Sequence, residues 1–353
     1  MTMPQAYNVS SEEDVRSFPA SFAQQWLWSL DQSEPNTPTY NLTSAVRICI
    51  PLDLKALELS LYALVQRHAI LRTTFSVKDE QLLQVISPTL NVPLLVEDVQ
   101  SLPASQREAR VQQVLTEEAQ RPFDLARGPL LRTTLLQIDG QESLLLLSSH
   151  HLVFDDRSVG VFFHEWVTLY EAFRNDRPSS LPDIPLQYAD FARWQREELA
   201  GERLAESLGY WKQQLEGAPS DLKLPFAHPN PALPTRRCAI QPFALGQHLR
   251  DDLEALSLQE GASLFMTAIA AFQTLLYRYT SQDDLMIGTM IAERKRPEVQ
   301  GLIGVSLNPL VLRTNLSGNP TFRELVGRVR EVIRAAQPES TLLPFLGEAA
   351  GEL

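Results

Sequence analysis

Leu144-Leu145-Leu146-Leu147-Ser148-Ser149-His150-His151-Leu152-Val153-Phe154-Asp155-Asp156-Arg157-Ser158 passes from a leucine run into a dense polar cluster. A nearly continuous apolar run of this length suits a strand buried on both faces. A second apolar run, Leu130–Ile138, precedes it, and Asp139-Gly140 between them is a common tight-turn pair, so the two runs read as a hairpin. Downstream, Val159, Phe162, Phe163, Trp166, Val167, Tyr170 and Phe173 recur at helical spacing. His150 and His151 therefore stand where a buried strand ends and a helix is about to begin. Such junctions are rigid, can open onto a cleft, and commonly carry chemistry.

Outward from this junction the chain reads as mixed α/β. Asp53 is a candidate N-cap for a helix with the stripe Leu57, Leu61, Leu64, Val65 and His68. Arg72–Ser76 reads as a strand, and residues 105–121 as a charged helix stopped by Pro122. Later, Leu264, Phe265, Ala268, Phe272, Leu275, Leu276 and Tyr279 mark a helix, ahead of a strand near Leu285–Thr289 and an apolar segment over Val305–Leu312. Residues 1–19 are expected to be a polar tail or linker. The Pro/Ser-rich stretch at 176–187 divides a first half, 20–180, from a second, 181–353.

At 353 residues there is chain enough for two cores. The net charge of −12 argues against nucleic acid or an anionic membrane as the main partner, since both demand a basic face. Cys49 and Cys238 form neither a disulfide framework nor a metal-ligand spacing, and each is expected to be a small buried hydrophobe. The polar, acidic start does not read as a signal peptide, and the apolar stretches fall short of the ~20 residues of a membrane span. A cytoplasmic protein is expected.

Histidine is the side chain best poised to move a proton near neutral pH. Adjacent residues on an extended backbone point to opposite sides, so only one of the two histidines can face a given cavity. The cluster reads equally as a catalytic pair or as a capping loop. A metal site is disfavoured, because adjacent histidines cannot easily share one ion and no third ligand is nearby. No Gly-x-Ser-x-Gly elbow supports a serine hydrolase.

His150-His151-x-x-x-Asp155-x-x-Ser158 resembles the active-site motif of nonribosomal peptide synthetase condensation domains, relatives of chloramphenicol acetyltransferase. Other motifs follow the order of that family. They are Ser21-Phe-Ala-Gln-Gln-Trp-Leu-Trp28 with Tyr40-Asn41-Leu42, Arg67-His68-Ala-Ile-Leu-Arg72-Thr73, and Tyr188-Ala-Asp190-Phe-Ala-Arg-Trp194-Gln195. Ile287-Gly288-Thr289 with Ala292 and Arg294, then Gly301-Leu-Ile-Gly304 and Asn308, resembles a later one. The resemblance implies two acetyltransferase-like α+β sandwich subdomains in a V-shaped pseudo-dimer, the second one incomplete. It implies peptide-bond formation between a donor acyl or peptidyl thioester and the amine of an acceptor aminoacyl thioester.

In that picture nothing is bound as a resident cofactor, and no metal is required. Substrates arrive on phosphopantetheine arms of donor and acceptor carrier proteins, beside adjacent synthetase domains, with no nucleic acid or membrane partner. His151 would take the amine proton or orient the amine, His150 would be mainly structural, and Asp155 would pair with Arg294. Arg67, Ser158 and Asn308 would support the site, and the amides of Arg157 and Ser158 would face developing oxyanion charge. An ester-forming enzyme with an alcohol acceptor, or a non-catalytic carrier-docking module, are the competing expectations.

Three single positions and one stretch depart from the family pattern. Asp156 stands where glycine is usual, and is expected to tolerate a positive φ better than most residues. Trp26 stands for arginine and Glu293 for glycine. Leu343-Pro344-Phe345 resembles the end of a motif whose polar residues are replaced by Ser340, Thr341, Leu342 and Leu346.

Overall fold

The computed structural model describes residues 15–219, 221–225, 241–292 and 297–336. The chain packs into two compact units. The first takes residues 1–203 and 292–307, the second 204–291 and 308–353. The expected boundary at 180 falls inside the first unit, because the helix after the Pro/Ser-rich stretch and the 292–307 segment both pack there.

In the first unit, β1 (Arg16–Pro19) leads to α1 (Phe22–Ser33), β2 (Asn41–Ile48) and α2 (Leu54–Arg67). A 3-10 turn at Ala69–Arg72 precedes β3 (Thr73–Lys78), β4 (Gln81–Ile86), β5 (Leu94–Asp98) and α3 (Ala104–Gln120). The hairpin β6 (Leu131–Gln137) and β7 (Ser143–His150) feeds α4 (Asp156–Arg174), then α5 (Tyr188–Glu198). Residues 16–19, expected to be tail, instead pair antiparallel with β4. Arg72 lies in the 3-10 turn rather than in β3.

The main sheet has the order β2-β7-β6-β5, antiparallel except for the β5–β6 pair. All eight residues of β7 are buried. Leu145 and Leu147 join a core with Leu57, Leu61 and Leu64 of α2 and Phe162, Trp166 and Leu169 of α4. Leu144 and Leu146 turn to the opposite face, against Val111 and Val114 of α3. The period-two geometry of a strand covered on both faces thus asks for an apolar side chain at each position of the 144–147 run, each leucine worth roughly 1.5–3 kcal/mol when buried. Asp53 caps α2 by accepting from Ala56 N at 3.0 Å, and its own amide donates to Tyr170 Oη of α4 at 3.0 Å. The cap thereby ties together the two helices that cover β7.

The second unit begins within α6 (Glu202–Leu215), and α7 (Gln247–Gln259) and α8 (Leu264–Thr280) then precede β8 (Asp284–Ala292). After α9 (Pro297–Gln300), which lies in the first unit, come β9 (Leu307–Asn315) and α10 (Phe322–Ala336). Strand β9 alternates, burying Asn308, Leu310, Leu312 and Thr314, and pairs with β8. The apolar segment at 305–312 is therefore split, and Val305 is buried in the core of the first unit. Cys49 is exposed, not the buried hydrophobe expected, and Cys238 lies outside the described residues. Among the described residues no single helix is long and apolar enough to cross a membrane.

Candidate active site

At the end of β7 the ladder gives way to a turn. His150 N donates to Leu130 O at 3.1 Å and His151 N to Tyr40 O at 2.9 Å, so both histidine amides are still held by flanking chain. Val153 N then bonds back to His150 O at 3.0 Å. The two side chains separate. His150 is 1% exposed, its ring edge-on to Tyr40 and Phe123 with centroids 6.2 Å away, and its Nδ1 accepts from Leu152 N at 3.2 Å.

His151 is only partly buried, and its Nδ1 lies 3.1 Å from Phe154 O. A carbonyl can only accept, so Nδ1 carries the hydrogen and the neutral ring keeps its lone pair on Nε2. Burial pushes the pKa of His151 below its ordinary value, only partly offset by the Phe154 bond and the charges of Asp156 and Asp155, while His150 adds to the fall. At neutral pH the ring is a neutral imidazole with one nitrogen ready to accept a proton.

Asp155 is fully buried in an extended backbone and caps α4. Its Oδ1 accepts from Ser158 N at 2.8 Å and Ser158 Oγ at 2.7 Å. Its Oδ2 accepts from Ser306 N at 3.1 Å and Ser306 Oγ at 2.7 Å. Ser158 Oγ also accepts from Gly304 N at 3.0 Å. Beside it, Tyr188 Oη donates to Val305 O at 2.5 Å. Gly304 has φ +145°, and a Cβ there would fall inside the Tyr188 ring, so only glycine fits. The carboxylate is thus a fastener between α4 and the 304–306 segment, buried too deeply to serve as a base.

The Ser158 amide, expected to face an oxyanion, is consumed by Asp155, which removes it from that role; Arg157 is exposed in the same turn. Asp156 has a helical backbone rather than a positive φ, and it carries negative charge into the first turn of α4. Trp26 is half-buried against the core of the first unit. Arg67 bonds Glu165 Oε2 at 2.9 Å and also donates to Pro182 O. The same Glu165 oxygen meets His68 Nε2 at 2.7 Å. Arg67 is therefore tied to the middle of α4, away from its first turn.

Asn308 is buried on β9 in the second unit. Arg294, Glu293 and residues 340–346 lie outside the described residues. Sequence reading missed Ser306 as a partner of Asp155. The nearby Gly301-Leu-Ile-Gly304 was a visible signal, but nothing local marks a contact 151 residues away. Among the described residues no group of three His, Cys, Asp or Glu side chains is placed to hold a metal ion.

Comparison with known proteins gives one family. The family model described as "Condensation domain" matches residues 15–343. A linear gramicidin synthase chain of Brevibacillus parabrevis is 49% identical over 327 residues, covering 93% of this chain and 6% of that protein, so this chain spans a small fraction of the synthase. The X-domain from teicoplanin biosynthesis, solved in complex with OxyB, is 30% identical with a TM-score of 0.81, over 99% of this chain and 76% of that one. The first condensation domain of the CDA synthetase shares the fold at a TM-score of 0.76 and 20% identity, over 92% of this chain and 77% of that one.

Proposed function

Because this chain belongs to the condensation-domain family, we propose that it forms an amide between a carrier-bound acyl or peptidyl thioester and the amine of a carrier-bound aminoacyl thioester. One observation carries the reading: His151 is neutral, with Nδ1–H held by Phe154 O and Nε2 left as an acceptor. In the reaction the amine nitrogen attacks the thioester carbonyl carbon. The C–S bond breaks, the donor phosphopantetheine leaves as thiol, and the proton lost by the amine passes through His151 Nε2 to the departing sulfur. Alignment of two tethered reactants supplies much of the rate, about 7–11 kcal/mol for well-oriented pairs, and a positioned base adds roughly 10²–10⁴-fold. His150 and Asp155 act as scaffold in this scheme, and neither touches the reacting atoms.

The test uses a donor loaded on one carrier protein and amine or alcohol acceptors on a second, with products read by intact mass. An amide from the amine arm is expected, and His151→Ala slows it by roughly 10²–10⁴-fold. A His151→Ala protein at full rate would remove the role given to that residue. Ester from the alcohol arm alone would reassign the acceptor. A second reading is favoured by the X-domain solved in complex with OxyB, in which this fold meets a partner protein. Carrier binding without any amide product would support such a docking role here and overturn the first choice.

A further inference from the structure

Two side chains of α1 reach the turn that carries His151. Gln24 is fully buried, and three partners fix its amide. Oε1 accepts from Ser21 N at 2.9 Å, while Nε2 donates to Leu152 O at 3.0 Å and lies 3.4 Å from Gln84 Oε1. Two helical turns later on the same face, Asp31 Oδ1 sits 3.7 Å from His150 Nε2. The Leu152 amide donates to His150 Nδ1, so the proton of the neutral ring must sit on Nε2, facing Asp31. Leu152, the residue after His151, is then held through both of its backbone polar groups, its N–H by His150 and its carbonyl by Gln24.

Gln24 is also the third residue of a capping box with Ser21. Ser21 Oγ lies 2.8 Å from Tyr188 Oη, which bonds Val305 O in the segment that fastens Asp155. The start of α1 therefore reaches both supports of the site, the His151 turn directly and the 304–306 segment through Tyr188.

We propose that Gln24 and Asp31 are positioning residues, which aim His151 from α1 by holding Leu152 and facing the His150 ring, and so keep His151 in register with the Phe154 carbonyl. This rests on the acyl-transfer reading, and neither residue touches substrate in it. The test compares Gln24→Met and Asp31→Asn with wild type in the carrier-loaded amide assay, alongside 15N imidazole spectra of His150 and His151. The expected result is a kcat about ten- to a hundredfold lower with KM for the acceptor carrier held, as for loss of alignment. The His151 resonances should move from a single Nδ1–H form toward a mixture of tautomers. Wild-type kcat together with wild-type imidazole spectra in both variants overturns the proposal. Should Gln24→Met fail to fold, Asp31→Asn, which preserves side-chain shape, decides the question alone. A wild-type protein without turnover sinks the acyl-transfer reading instead, and the spectra still judge the positioning role.

Discussion

Two buried carboxylates stand ten residues apart on α4, Asp155 as its cap and Glu165 at its middle, and different donors meet them. Asp155 takes four hydrogen bonds from two serines, through their amides and hydroxyls, and Glu165 takes one from Arg67 and one from His68. Serine hydroxyl and amide donors carry no net charge, whereas the Arg67 guanidinium on Glu165 does. Serine dipoles thus contribute to the fastening at the start of the helix, beside the candidate base, and an ionic cluster holds its middle. A proton-handling histidine is best served by neighbours whose charge does not change as it works.

The strongest way to break this contrast is Asp155→Ala. It removes the carboxylate that accepts from the buried Ser158 and Ser306 amides, a loss of about 1–3 kcal/mol each, and with it the Ser306 anchor. A loss of about 3–5 kcal/mol is expected in urea unfolding, together with loss of amide formation. A stable, active Asp155→Ala protein would mean that the 304–306 segment is held by something else.

Glu165→Gln should cost less, about 1–3 kcal/mol at pH 7, because Arg67 keeps its bond to Pro182 O and the amide still accepts. Thermal unfolding of the two variants side by side ranks them, and the reverse order would sink the comparison. The pH dependence sharpens it further. Burial raises the Glu165 carboxyl, but the bonds and charges of His68 and Arg67 outweigh it and leave its pKa below the usual range. A carboxyl depressed in the folded state stabilises above its unfolded pKa, and that contribution is lost as pH falls through the folded value. Wild type should therefore lose stability on acidification below about pH 4.5, and Glu165→Gln should lose less. Parallel curves for the two proteins would rule the linkage out.

How much of this was legible in sequence follows from how local each cause is. The β6–β7 hairpin, the cap at Asp53 and the α4 stripe are written in spacing and turn chemistry, and the structure has all three. Strand β1 was hidden in a polar, acidic stretch, since its pairing with β4 comes from a distant partner rather than from its own pattern. The Asp155–Ser306 bond and the transfer of residues 292–307 into the first unit are likewise long-range, and no periodicity announces them. The histidine pair was legible as a place. Its division of labour needed coordinates, because only the Phe154 carbonyl and the Leu152 amide decide which nitrogen of each ring carries the proton.

Asp156 offers the smallest and most specific test, because it puts a titratable charge beside the fixed dipoles around Asp155. It is exposed in the first turn of α4, where a negative charge is worth about 0.3–1 kcal/mol against the helix dipole. Its charge also raises the pKa of His151 against the larger effect of burial, with Asp155 acting in the same sense and His150 in the opposite one. Asp156→Asn keeps the shape and removes the charge, so unfolding should shift by only a few tenths of a kcal/mol. The pKa of His151 should fall further, and the acid limb of the kcat profile should move to lower pH, because the base then stays neutral in more acidic solution. A limb that moves to higher pH, or stays in place while stability falls, would mean that Asp156 acts through the helix alone and that the titration of His151 is set by the buried groups around it.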